Sequence, residues 1–400
     1  MLSSIPMAAP DTYLVGASDR RLERFENLFP LPHGVSYNSY LILDQQTVLL
    51  DTVDKTAAPD FFDRLEGALQ GRPLDYVVIH HMEPDHAAEL GDLVRRWPNI
   101  QLICSAKAQQ MLAQFFQFSS QIQVRTVAEG DTLCTGQHTL HFMMAPMVHW
   151  PEVMVSYDEH TGALFSADAF GTFGALDGTI FADDLDFEQC WLGEARRYYA
   201  NIVGKYGGPV QTLLKKVSGL DIRVLCPLHG PVWRKNIAWY IQKYDLWSQW
   251  KPEGTSVAVF YGSMYGNTAR TAQMIAEQLS ARGAGAVSLY DVSGTDVSQL
   301  VSEVMRCSHI VLACPTYNGG LYPKMHDLLI DLKALGAQNR TWALVENGTW
   351  APMAARLMRT ELESMKGMTI LEPTLTIRSA LHDPAPALEL VDAVAKDMGL

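Results

Sequence analysis

The sequence predicts an α/β protein in two parts: an α/β sandwich of largely mixed or antiparallel sheets, then a doubly wound parallel sheet. Three observations carry this. Before residue 250, short strand-like runs crowd together with few helical stretches between them. After residue 255, strands and helices alternate strictly. Between the two, Ser248 to Thr255 combines Pro252, Gly254 and charge just ahead of a fresh apolar run, Ser256 to Phe260. The expected domains are 1–250 and 255–400.

In the first part, strands are expected at 41–43, 47–50, 76–79, 101–104, 138–144, 153–157 and 163–165. Helices are expected at 59–69, with Pro59 in the first turn, and at 86–97, 106–116 and 188–203. In the second part, strands at 257–260, 286–290, 310–313, 342–345 and 369–371 alternate with helices near 267–281, 296–306, 324–335, 352–365 and 385–398. Five such units make a five-stranded parallel sheet whose ligand site lies at the carboxyl ends of its strands.

Composition narrows the function. The 400 residues, 48% hydrophobic, are ample for buried cores without staples. The balance of 31 basic against 44 acidic groups, a net charge of -13, argues against a nucleic-acid partner. No apolar run reaches ~18 residues, so no membrane span is expected. The first sixteen residues, MLSSIPMAAPDTYLVG, have no basic region ahead of an apolar one and do not read as a secretory signal. Six cysteines with no C-x-x-C fit reduced thiols in a cytoplasmic protein and exclude an iron centre held by clustered thiolates.

Histidine is concentrated where chemistry would be. Nine of the twelve lie before residue 250. The strand Tyr76 to Ile79 runs into His80-His81-Met82-Glu83-Pro84-Asp85-His86, so four good ligands, His81, Glu83, Asp85 and His86, stand within six residues, and Pro84 stiffens the turn. His149, Asp168 and His229 each follow a further strand, where site residues usually converge. Four imidazoles and three carboxylates exceed one tetrahedral metal and suit two, with iron, manganese or zinc all compatible. Stacked anions without cations would repel, which argues against an ordinary polar loop. His80 is expected on the opposite strand face from His81, in a supporting or core position. His33, His138, His141 and His160 receive no role.

This pattern resembles the metallo-β-lactamase-like domain of the flavodiiron proteins. Hydrolases of that superfamily carry H-x-H-x-D-H, and here Glu83 replaces the second histidine. The resemblance implies that His81, Glu83 and His149 hold one iron, that Asp85, His86 and His229 hold the other, and that Asp168 bridges them. It implies an αββα sandwich for this half.

The second half offers a phosphate loop. Its first strand leads into Ser263-Met264-Tyr265-Gly266-Asn267-Thr268 and then a helix. Hydroxyls, backbone N–H groups and the helix N-terminus can cradle one phosphate, and no lysine follows to serve a triphosphate. Two more strand ends, Pro315-Thr316-Tyr317-Asn318-Gly319-Gly320-Leu321 and Asn347-Gly348-Thr349-Trp350, combine glycines with aromatics that could stack on a planar ring. This half resembles flavodoxin, which implies FMN. The isoalloxazine is expected between these two loops, with Trp350 or Tyr317 as stacking partner.

Both resemblances together span nearly the whole chain in the flavodiiron order. They imply an oxidoreductase that reduces nitric oxide to nitrous oxide, dioxygen to water, or both, at a non-haem diiron centre fed by FMN and serving anaerobic detoxification. They also imply a head-to-tail homodimer, or a dimer of dimers, and an external electron donor: rubredoxin usually, reduced deazaflavin in some methanogens. The chain ends at Leu400 with no rubredoxin or flavin-reductase extension expected. Trp150, Tyr198 and Tyr199 could shape the gas pocket. The alternative is a dinuclear metal hydrolase fused to a flavin electron-transfer module. The acidic stretch Asp177 to Glu188 is expected to be a solvated loop.

Overall fold

The computed structural model describes residues 5–118 and 122–400; Met1 to Ser4, which begin the N-terminal stretch read above, lie outside the described residues. The chain separates into two compact units. One runs to Tyr199 and resumes at Tyr206–Asp245; the other comprises Ala200–Lys205 and Leu246–Leu400. Among the described residues, no helix is long and apolar enough to cross a membrane.

The first unit is built on two sheets. Seven strands lie in chain order in one: β1 (Met7–Ala9), β2 (Thr12–Leu14), β3 (Tyr40–Leu43), β4 (Thr47–Leu50), β5 (Tyr76–Ile79), β6 (Gln101–Ser105) and β7 (Gln123–Val127). Pairing is antiparallel as far as β4 and parallel from β4 to β7. Parallel pairs need crossovers, and these are helical: Ala58–Leu69, then Pro84–Ala87 and Leu90–Arg96, then Ala106–Phe115. The second sheet holds β8 (Thr132–Cys134), β9 (Thr139–Met144), β10 (Met154–Asp158), β11 (Ala163–Phe165) and β12 (Val224–Cys226). Alternate side chains Ile42, Val48, Leu50, Val78 and Ile103 meet Leu140, Phe142, Met154 and Phe165 in one buried core. This is the αββα sandwich.

Register across the second sheet fixes where its loops emerge. Phe142, Ser156, Phe165 and Cys226 pair in one row across β9 to β12. Because β9, β11 and β12 run the same way, the segments leaving all three emerge at one edge. His80, on leaving β5, ties the sheets together. Its Nδ1 lies 2.6 Å from Asp51 Oδ2, its Nε2 2.8 Å from Ser156 Oγ, and its carbonyl accepts the Met154 N–H at 3.1 Å. His80 is therefore a buried supporting residue.

A second buried pair, His138 Nδ1 to Asp158 Oδ2 at 2.9 Å, pins the end of β10, with the Thr161 hydroxyl also donating to Asp158. Burial opposes both charges, but the mutual bond prevails: the Asp158 carboxyl is held below its usual range and the His138 imidazole above. The contribution of Asp158 is complete above about pH 3.9 and is lost as pH falls through its lowered value. That of His138 is complete below about pH 6.5 and is lost as pH rises through its raised value. Asp158→Asn should therefore cost about 3 kcal/mol near pH 5.5 and less near pH 9. Thermal unfolding at the two pH values checks this; an equal deficit at both would refute it.

Several elements depart from expectation. The helix expected at 188–203 is broken into Phe187–Cys190, Leu192–Tyr198 and a π turn at Tyr199–Val203. The one expected at 86–97 is two pieces, Pro84–Ala87 and Leu90–Arg96. Gly207-Gly208-Pro209 looks like a break yet opens the helix Gly207–Val217, because the first-turn N–H groups of a helix need no internal partner. The acidic stretch is partly engaged: Asp183 and Asp184 pair with Arg234, and Asp183 also with Lys235.

The second unit has one parallel sheet: β13 (Val257–Tyr261), β14 (Val287–Asp291), β15 (His309–Pro315), β16 (Arg340–Asn347), β17 (Met368–Ile370) and β18 (Leu375–Ile377). The order β14-β13-β15-β16-β17 is the flavodoxin-like winding, with the switch point between β13 and β15. Six strands stand where five were expected, because the fifth position is split. β17 pairs with the start of β16 and β18 with its end, either side of Pro373, which has no N–H to give a ladder. Val257, Val259, Val311 and Val345 pack against Ile275, Leu279, Leu390 and Val394. Arg340 is buried at the start of β16 and donates to the carbonyls of Val304, Met305 and Trp250; burial pushes its pKa down to about 10.

Candidate metal centre and flavin site

All seven candidate ligands meet beside the sandwich. His81 and Glu83 follow β5, Asp85 and His86 sit in the short helix after it, and His149, Asp168 and His229 lie on the loops leaving β9, β11 and β12. They form two groups: His81, Glu83, His149 and Asp168, and then Asp85, His86 and His229. In the first, Glu83 Oε2 lies 3.1 Å from His81 Nε2 and 3.0 Å from His149 Nε2. Asp168 Oδ2 lies 3.1 and 3.2 Å from the same nitrogens. In the second, His86 Nε2 and His229 Nε2 are 3.0 Å apart, and Asp85 Oδ2 is 3.4 and 3.3 Å from them. Asp168 Oδ1 faces this second group, 3.2 Å from His86 Nε2 and 3.6 Å from His229 Nε2. Asp168 thus presents one oxygen to each group.

Glu83 is met by His81 and His149, but not every converging atom is satisfied. Among the described residues, Asp168 Oδ1 and both Asp85 oxygens are buried with no hydrogen-bond partner, a state that costs several kcal/mol unless something else meets them. Burial disfavours charge on His81, Glu83, His86, His149 and Asp168, yet these charges pull each other strongly. The His86 and His81 imidazoles hold the Asp168 carboxyl well below its usual range. Asp168 raises His81 in turn, and Asp168 with Glu83 lifts His149 to about 9. Such a constellation calls for positive charge. Ligand atoms about 3.1 Å apart also suit a common centre about 2 Å from each, the range of metal–imidazole bonds. The residues fit a pair of cations with imidazole and oxygen ligands.

The neighbours of the centre include residues that the sequence did not single out. Asp51, at the end of β4, accepts the His80 N–H at 2.7 Å and the His81 N–H at 3.3 Å. Glu152 accepts from His81 Nδ1 at 2.8 Å, and its one signal in the sequence is its place three residues after His149. Glu26 sits against Glu83; burial, then the Glu83 charge, raises its pKa to about 8. Of the two tyrosines, Tyr198 reaches the centre, its ring 5.5 Å from His229 and its buried hydroxyl without a hydrogen-bond partner among the described residues. Tyr199 instead packs edge-on against Tyr244. Trp150 stands edge-on to His81 at 5.3 Å. His138, His141 and His160 lie outside the ligand groups.

The carboxyl ends of β13, β15 and β16 surround a cavity of about 680 Å³. Of the candidate flavin residues, Ser263, Met264, Tyr265, Asn267, Thr268, Pro315, Thr316, Tyr317, Asn318, Gly319, Asn347, Gly348, Thr349 and Trp350 line it. Gly266, Gly320 and Leu321 do not. Gly266, at φ +88°, makes the turn into the helix Asn267–Ala281, and its N–H donates to Ser263 Oγ. Gly320 exchanges two hydrogen bonds with Tyr317 and closes that loop. Ala351, Met353 and Ser379 line the cavity as well. Ser379 is tied to Asn347, whose amide also donates to Thr268 Oγ1. Trp350 is 80% and Tyr265 89% exposed, leaving two aromatic faces at the rim. A helix N-terminus, hydroxyls and glycines without a lysine fit a flavin monophosphate.

Comparison with known proteins agrees with both halves. The profile of the ODP family beta lactamase matches residues 35–230, and that of flavodoxin matches residues 259–388. The chain is 32% identical over 385 residues to the anaerobic nitric oxide reductase flavorubredoxin of Pectobacterium carotovorum, covering 94% of this chain and 74% of that one. Among solved structures, the rubredoxin oxygen:oxidoreductase of the anaerobe Desulfovibrio gigas is similar at TM-score 0.90 and 27% identity, covering 99% of this chain and 98% of that one. The flavodiiron protein of Giardia intestinalis, at 24% identity and TM-score 0.87 over 98% and 95% of the two chains, shares the fold.

A metallo-β-lactamase-like sandwich with a double ligand cluster, joined to a flavodoxin fold, defines a metal- and flavin-dependent oxidoreductase. The chain belongs to the flavodiiron protein family. Its cofactors are accordingly FMN and a pair of irons.

Proposed function

We propose that this protein reduces nitric oxide to nitrous oxide in anaerobic detoxification. One observation carries the two-iron reading: Asp168 turns one carboxylate oxygen to each ligand group. His81, Glu83 and His149 would hold one iron through Nε2, Oε2 and Nε2; Asp85, His86 and His229 would hold the other; Asp168 would serve both. When bound, the irons supply electrons and open positions for a small diatomic oxidant, and the flavin passes them two electrons singly. The surrounding residues orient and exclude. Asp51 and Glu152 fix His81, Tyr198 keeps a phenolic proton beside His229, and Trp150 covers the His81 edge. FMN would sit in the cavity between the loops at 315–319 and 347–350, its phosphate at Ser263 to Thr268.

Likeness to the flavorubredoxin supports nitric oxide as substrate. Likeness to the rubredoxin oxygen:oxidoreductase supports dioxygen, reduced to water, as the second reading, and a rubredoxin as donor under either. The site and the flavin belong to different units, so a head-to-tail homodimer is the proposed working form, in a cytoplasm that keeps the six free cysteines reduced.

The test is anaerobic. Protein replete in iron and FMN receives a reduced rubredoxin, then limiting nitric oxide or dioxygen in separate runs followed by electrode. Faster loss of nitric oxide with nitrous oxide formed is the expected result. Faster loss of dioxygen without hydrogen peroxide would favour the second reading, and loss of neither would overturn both.

A further inference from the structure

The imidazoles of the centre are not supported alike. His81 directs Nδ1 at Glu152 Oε1, 2.8 Å away, and the same oxygen accepts the Met82 N–H at 2.9 Å. Glu152 is 1% exposed, and among the described residues its second oxygen, Oε2, has no hydrogen-bond partner to disperse its charge. Its backbone carbonyl is held by Ser105 Oγ at 2.8 Å. The other group differs. His229 directs Nδ1 at the neutral backbone carbonyl of Ser36, 2.7 Å away, and His86 Nδ1 is buried with no hydrogen-bond partner among the described residues.

Counting charge, each group has one carboxylate of its own, Glu83 or Asp85, and one oxygen of Asp168. The difference is Glu152, an anion behind an imidazole on one side only. A carboxylate hydrogen-bonded to the far nitrogen of a ligating imidazole fixes its tautomer and makes it a stronger donor. In a buried site, the added negative charge also favours the more highly charged state of the metal beside it.

We infer that Glu152 is a positioning residue that makes the two irons unequal. It holds the iron of His81, Glu83 and His149 ferric, so that the first electron settles on the iron of Asp85, His86 and His229. The step is a single electron transfer: reduced flavin loses one electron, and one ferric ion becomes ferrous. This rests on the two-iron reading above.

The experiment is a redox titration of the iron- and FMN-loaded protein, followed by electron paramagnetic resonance and Mössbauer spectroscopy. The native protein should show two one-electron iron steps and, between them, a mixed-valent pair with one distinct ferrous and one distinct ferric ion. Glu152→Gln keeps an oxygen that can accept both N–H groups but removes the charge. It should retain two irons and narrow the gap between the steps about tenfold in equilibrium constant, or about 59 mV for a one-electron couple, by raising the lower step. Glu152→Ala should also weaken iron binding on the His81 side, roughly 10–100-fold. Ser105→Ala should leave the gap unchanged. An unchanged gap in iron-replete Glu152→Gln, or an equal shift of both steps, would overturn the inference while leaving the centre intact. Should that variant fail to fold, the native spectrum decides, because two equivalent irons in the mixed-valent state would overturn it equally. Native protein that takes up no iron would overturn the two-iron reading and this inference with it.

Discussion

Asp168→Ala should empty the metal centre and abolish gas reduction while leaving the flavin in place. Asp168 offers an oxygen to both ligand groups, within 3.6 Å of four imidazole nitrogens. Its loss removes a ligand from each iron at once. Residues that merely orient a ligand typically cost 10–100-fold in metal affinity, so about 100-fold at each site is a floor for losing a shared ligand. Iron should fall below one per chain, with FMN content unchanged, because the flavin cavity is lined wholly by residues of the other unit. Asp168→Asn is the sharper variant. Its amide keeps one oxygen and replaces the other with a donor, so about one iron per chain should remain. Iron analysis and flavin absorbance on the same samples measure both. Two irons retained in either variant would show that Asp168 does not bridge.

Ser263→Asp should have the opposite selectivity: iron kept, FMN lost. Ser263 lines the cavity, and its Oγ accepts the Gly266 N–H at 3.1 Å where the chain turns into the helix Asn267–Ala281. Aspartate can make the same cap, so the loop should fold. What it adds is a negative charge in the proposed phosphate seat. Two like charges about 4 Å apart near a protein surface repel by up to about 4 kcal/mol. With screening, about 3 kcal/mol, or roughly two orders of magnitude in affinity, is expected. Ser263→Asn, neutral and nearly the same shape, should bind FMN within a few-fold of the native protein. Quenching of FMN fluorescence on titration into flavin-free protein reads the difference; equal binding by the two variants would move the phosphate elsewhere.

The sequence made the ligand residues legible because each stands next to a strand end and carries unmistakable chemistry. Their supports were not legible. Glu152 serves His81 from 71 positions away, and Asp51 reaches His80 and His81 from the neighbouring strand. Such pairings exist only once β4 has paired with β5 and the second sheet, with β10, has packed on the first. Tyr198 and Tyr199 could not be ranked, because the helix that would set their phase breaks into a π turn at Tyr199. In the second unit the alternation of strand and helix was plain. The split of the fifth strand was not, and with it went Ser379, which lines the cavity just after β18. Arg340 reads as a surface cation at a strand start, but three backbone carbonyls hold it in the interior.

The shared row of Phe142, Ser156, Phe165 and Cys226 bears on how the protein is assembled. Three of the seven ligands hang from strand ends that this row aligns, and hydrogen bonds donated to the Glu152 carboxylate and the Ser36 carbonyl aim His81 and His229. Closing of the sandwich should therefore order much of the chain that carries the ligands. Metal binding should then need less further loss of chain entropy than in small domains that fold only around their ion. Imidazole and carboxylate ligands held this way exert little choice among divalent ions of similar size. Which metal fills it is then governed by what the cell supplies, and a culture rich in zinc should yield well-folded, flavin-loaded and inactive protein.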